Sequence, residues 1–172
     1  LEHHLDRTHD PEALATLAGA LARRDGPEAA LARIERARAD GLDPADPENA
    51  SVLRAFTAHA LAAGRVEAAR TLLHEAQTRD PAWLEPHRLE ASLLSASGDP
   101  AAARAHLESV VAERPEDPRA LAMLAGFLHG EGQTEAARPL VERARAAAPR
   151  DAEIAYLASQ VWAALGRTDR SA

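Results

Sequence analysis

The chain has 172 residues, 46% of them apolar but only 3% aromatic, with a formal net charge of −7 and no cysteine. An acidic, aromatic-poor surface lacks the basic face and stacking platforms of a general nucleic-acid binder, so nucleic acid is not an expected partner. Without cysteine there is no disulfide framework, thiolate metal site or cysteine nucleophile, which fits a reducing compartment.

Residues 1–10 read as an N-terminal extension, and its opening Leu1-Glu2-His3-His4 resembles a tag remnant rather than part of the fold. Leu14, Leu17, Ala18 and Leu21 then recur at helical spacing, followed by a second helical stretch with Ala30, Ile34 and Ala37 on one face. Gly41 to Asp46 interrupts as a short insertion. From there the chain keeps a strict step of 34 residues: Gly64, Gly98, Gly132 and Gly166, and Pro47, Pro81, Pro115 and Pro149. Small residues share the register (Ala69, Ala103, Ala137, then Ala76, Val110, Ala144), and so does a larger column of Leu73, Leu107 and Val141. Each unit thus predicts two helices, with Gly turning between them and Pro stopping the second. Asp10, Asn49, Asp117 and Asp151 stand where a side chain would cap the first helix of a pair, and Pro27 and Pro100 suit the first turn of a second helix.

A 34-residue helix–turn–helix unit with these Gly, Ala and Pro columns resembles the tetratricopeptide repeat. The resemblance covers about Pro11 to Gly166 and implies an all-α, right-handed superhelical solenoid of about four repeats plus a final single helix. The units fall at about 11–44, 50–83, 84–117 and 118–151, with a partial unit at 152–172. Several features depart from the family pattern. The usual Trp of the first helix is missing, and His87 and Glu90 occupy places usually apolar, which leaves that face to Leu89, Leu93 and Leu94. Pro139 lies inside a second helix, where it removes a hydrogen bond and is expected to kink it.

Nothing in the sequence points to catalysis. His9, His59, His74, His87, His106 and His129 fall in different columns, and no H-E-x-x-H, G-x-S-x-G or phosphate loop occurs. The carboxylates Glu85 and Glu90 read as solvated. No enzyme activity, cofactor or metal is expected, and no apolar run reaches the roughly 18 residues of a membrane span. The expected compartment is the cytoplasm, with the periplasm an open alternative. The 20 basic residues are all Arg, a bias that reads as bacterial and GC-rich.

The resemblance implies a protein-binding scaffold whose first helices line a concave groove. Helical spacing directs Arg54 and Ala58, then Glu85, Arg88 and Ser92, into that groove. Arg119, Met123, Gly126 and His129 follow, then Glu153, Tyr156 and Gln160. Arg54, Arg88 and Arg119 form a ladder that could fork onto an acidic tail. Glu85 and Glu153 offer the same arginines ion pairs, and the two alternatives weigh evenly. Some family members clamp a terminal carboxylate with two Lys, two Asn and an Arg. Here Arg54 and Arg119 stand for the Lys, while Ala58, Leu89 and Met123 replace the other three, so that clamp is not built.

Trp83 fills the cap column, either as a surface anchor or, as the favoured alternative, packed on the preceding helix. Trp162 shares a column with Ala60, Leu94 and Leu128 and is expected in the core. The last helix, Ala152 to Gly166, is apolar nearly all round. Gly166-Arg167 repeats the Gly64-Arg65 opening, which favours a natural chain that continues; self-association through this helix is the alternative. A second functional reading makes the array the regulatory or substrate-presenting arm of a larger enzyme, since family arrays are joined to glycosyltransferases, hydroxylases and kinases.

Overall fold

A computed structural model describes residues 10–168; residues 1–9 of the expected extension at 1–10 and the last four residues lie outside them. The Asp10 carboxylate accepts the amides of Glu12 and Ala13 and opens α1 (Pro11–Asp25). Pro27 sits at the start of α2 (Pro27–Ala39), where a missing N–H costs nothing. After a short 3-10 turn (Pro47–Asn49) come α3 (Ala50–Ala62), α4 (Val66–Arg79) and α5 (Glu85–Ala96). Next are α6 (Pro100–Glu113), α7 (Pro118–Gly130), α8 (Thr134–Ala147) and α9 (Ala152–Thr168). The described residues are all-α, with no strand.

The 34-residue step has a concrete cause at the glycines. Gly64, Gly98 and Gly132 have φ of +73°, +92° and +77°, a region that side chains with a Cβ rarely adopt. At each, the next amide reaches back to a carbonyl of the helix's last turn: Arg65 to Ala60 at 2.7 Å, Asp99 to Leu94 at 3.0 Å, Gln133 to Leu128 at 2.8 Å. The glycine amides bond Leu61, Ser95 and His129, completing a Schellman stop three times over. Gly166 does not repeat it. The backbone stays helical through Gly166 to Thr168, so the fourth glycine of the series makes no turn.

The chain divides into two compact units, residues 1–93 and 94–172, split within α5. In the first, α1 packs on α2 and α3, α2 on α3, and α3 on α4. Its core joins Ile34, Leu53, Phe56, Leu73 and the start of α5 through Leu89 and Leu93. The insertion belongs to that core, because Leu42, Pro44 and Ala45 are buried. Asp43 organises it, accepting the Ala45 amide at 3.0 Å and pairing with Arg79 at 2.6 Å. Burial would raise the Asp43 pKa, but the Ala45 amide and Arg79 outweigh it and hold the carboxyl below its ordinary value.

Asn49 does not cap α3 as expected. Its side-chain amide donates to the Asp43 carbonyl instead, and Asp46 caps the 3-10 turn that leads into α3, accepting from Glu48 at 2.9 Å. The insertion begins the turn three residues early, so the capping position moves with it.

In the second unit α6 packs on α7, α7 on α8, and α9 on both α7 and α8. Asp99, Asp117 and Asp151 cap α6, α7 and α9 through the amides that follow them. Replacing Asp117 by Ala should cost about 1 kcal/mol, read as a lowered urea midpoint. Ala103, Ala137 and Ala144 are fully buried, as are Val110 and Val141 to within 2%. These columns hold small residues because helix axes approach closely there. Pro139 lies inside α8, which nevertheless runs on to Ala147.

Candidate functional site

The residues expected to face a partner sit on the first helix of each pair, and the two units use them differently. In the first unit the ladder closes on itself. Glu85 opens α5 and takes both guanidinium donors of Arg88, at 2.8 and 2.7 Å, plus Arg54 of α3 at 3.3 Å. The side chain of Glu85 is largely buried beneath them. Burial would raise its pKa, but Arg88 and then Arg54 outweigh burial and hold the carboxyl below its ordinary value. The hydrogen bond to Glu85 in turn raises Arg88. Ser92, one turn on, spends its hydroxyl on the Arg88 carbonyl at 3.0 Å.

This cluster has a pH signature. The folded Glu85 holds its proton less tightly than the unfolded chain does, so its contribution is complete above the ordinary value of 4.5 and disappears as pH falls through the lowered folded value. Glu85→Gln should therefore lower the urea midpoint at pH 7, with the gap to wild type shrinking as the buffer is taken below pH 4.5.

Two further residues of this unit depart from the repeat pattern without loose ends. Glu90, at a place usually apolar, is only 12% exposed and takes Arg70 Nε from α4 at 3.3 Å. Trp83 is half-buried against the core of the unit, and its amide bonds the Asp80 carbonyl at 3.1 Å. A cleft of about 260 Å³ lies between α2 and α4, floored by Ile34, Phe56 and Leu72. Arg65, the residue before α4, pairs with Glu35 of α2 at 2.7 Å, and Arg38 of α2 pairs with Glu75 of α4 at 2.6 Å.

In the second unit the outward residues are less engaged. Arg119 is 77% exposed and meets Asp151 only at 3.8 Å, rather than the expected Glu153. Met123 is half-buried one turn further along α7, and Gly126 faces Leu157 of α9. His129 shares a hydrogen bond of 3.2 Å with Thr134 Oγ1 across the turn. On α9, Tyr156 is 68% exposed and Gln160 is also exposed.

Trp162 departs from its expected core position. It is 40% exposed, with the Arg145 guanidinium 4.8 Å from its ring centroid. Its counterparts Ala60 and Leu128 lie buried in helices that pack on their partners α4 and α8, Leu94 is half-buried, and among the described residues α9 has no such partner. The histidines stay apart. Burial lowers the pKa of His59 on α3, and among the described residues no group of three or more His, Asp or Glu is placed to hold a metal. No described helix is long and apolar enough to cross a membrane.

Residues 94–170 match the family model described as tetratricopeptide repeat. Among solved structures, the chain is similar to a thermophilic TPR protein of Thermus thermophilus, at 21% identity and a TM-score of 0.59, covering 93% of this chain and 84% of that one. It is also similar to a tetratricopeptide repeat protein of Parabacteroides merdae, at 16% identity and a TM-score of 0.51, covering 95% of this chain and 63% of that one. At such identities the likeness speaks for the fold alone. Nothing among the curated proteins matches the chain. Tetratricopeptide repeat domains are in general non-catalytic scaffolds for protein–protein interaction. The family match over residues 94–170 and, along the described residues, the glycine stops and the buried small-residue columns fit an all-α helical repeat of the tetratricopeptide kind.

Proposed function

We propose that the chain is a non-catalytic scaffold that receives a peptide or helical segment of a partner protein on the outward faces of its first helices. In this reading the pairs at about 11–44, 50–83, 84–117 and 118–151 and the partial unit at 152–172 form one interaction domain. The observation that carries it is the contrast among the three arginines. Arg54 and Arg88 are already closed on Glu85, whereas Arg119 stands 77% exposed. An exposed guanidinium beside Met123 suits a segment that offers a carboxylate next to an apolar side chain. Tyr156 extends the same kind of surface on α9, since aromatic side chains anchor interfaces at low entropic cost.

The reading is tested by affinity capture from the source organism's lysate with wild type, Arg119→Glu and Arg54→Ala as baits. A partner lost with Arg119→Glu but retained with Arg54→Ala is the expected result. Equal capture by all three baits would contradict the assignment.

A further inference from the structure

The cleft of about 260 Å³ lies between the second helices of the first two pairs, α2 and α4, away from the first helices. Its floor is apolar, since Ile34, Phe56 and Leu72 are all buried. Pro44 adds a wall from the insertion, a segment that the 34-residue step of the later pairs omits. Asp43 ties that insertion to α4 through Arg79 at 2.6 Å. The volume is just below the usual range of ligand sites, about 300–1,000 Å³, so the fitting occupant is one small molecule.

The charges at the mouth decide what kind of molecule. Glu35, Arg38 and Arg65 all line the cleft. Arg65 holds Glu35 at 2.7 Å and Glu28 at 3.5 Å, and Arg38 holds Glu75 at 2.6 Å. Two guanidinium groups thus stand against three carboxylates, so a simple acid finds no surplus of positive charge. It would also draw a guanidinium away from a carboxylate already paired with it. A simple amine fares no better, because two guanidinium groups and only one carboxylate line the cleft itself.

A zwitterion escapes both objections. The ammonium and carboxylate of an α-amino acid stand about 3 Å apart, the spacing of an ion pair. Such a head can enter between Glu35 and Arg65, ammonium on the first and carboxylate on the second, and leave neither unmatched. Arg38 adds a second guanidinium for the carboxylate. Thr71 also lines the cleft and has given its hydroxyl hydrogen to the Glu67 carbonyl at 2.9 Å, so its oxygen is left to accept from the ammonium. We infer that this cleft binds a free α-amino acid whose apolar side chain rests on Ile34, Phe56 and Leu72.

The test is an NMR titration of the whole chain with L-phenylalanine. Three comparison probes each lack one feature: 3-phenylpropanoate the ammonium, phenethylamine the carboxylate and glycine the side chain. Phenylalanine should shift amides of α2 and α4 and bind at least about tenfold tighter than any of the three. Arg38→Gln, at the half-exposed mouth, should weaken it about tenfold with an unchanged helical spectrum. Ala68→Leu, half-buried on the cleft wall, should fill the space and abolish binding. Equal affinity for phenylalanine and 3-phenylpropanoate would overturn the zwitterion. No shift at about 10 mM phenylalanine, or shifts confined to other helices, would overturn the site. The result is independent of partner capture, because Arg119→Glu should leave phenylalanine binding unchanged.

Discussion

Leu73→Ala is expected to destabilise the protein by about 2–5 kcal/mol, the range for emptying a fully buried leucine site. Leu73 is 0% exposed in α4 and belongs to the core that joins Ile34, Leu53 and Phe56. Its column partners Leu107 and Val141 are 1% and 0% exposed, so the same position is filled in each successive pair. Since single domains are stable by only about 5–15 kcal/mol, this one change removes a large share of the total. Urea denaturation followed by helical circular dichroism gives the measurement, and a loss below about 1 kcal/mol would mean that the site collapses around the missing atoms.

The second large effect runs in the opposite sense, by addition. Ala137→Leu inserts three carbons at a fully buried position of α8 in a column occupied only by alanine. Overpacking of this kind costs about 1–3 kcal/mol through strained rotamers and displaced backbone. Its neighbour Ala136 is exposed, and Ala136→Leu should stay within about 0.5 kcal/mol of wild type. The pair isolates helix contact from helix propensity, because both changes make the same substitution in the same helix. Similar losses at both positions would deny that small residues set the approach of these helices.

What the period could reveal was whatever must recur in every unit. The turns at Gly64, Gly98 and Gly132 and the buried columns at Ala69, Ala103 and Ala137 belong to this class, since each pair needs the same stop and the same close contact. The caps at Asp10, Asp117 and Asp151 were legible for the same reason. Asn49 was misread because the insertion before it shifts the turn, and a local shift leaves no trace in the step that resumes afterward.

Ion pairs were the least legible part. They join positions that are not equivalent between units, such as Arg70 with Glu90 or Arg54 with Glu85, and long side chains choose among several partners within reach. The sequence therefore left the arginine ladder balanced between an acidic partner and Glu85. The geometry separates Arg119 from Arg54 and Arg88 instead of treating the three alike. Trp162 departs for the opposite reason, since its column alone points to the core while its exposure is 40%. A column states burial only where the second helix of the pair is present to cover it.

The central claim is that the outward faces of the first helices, α7 above all, carry the partner. Site-specific photocross-linking tests it most directly, with the photoreactive residue placed in turn at Met123 on α7 and at the exposed Arg138 on α8. A captured partner is expected to cross-link from position 123 and not from 138, and Arg119→Glu is expected to abolish the adduct. Cross-linking from position 138 alone would contradict the claim and place the partner on the second helices.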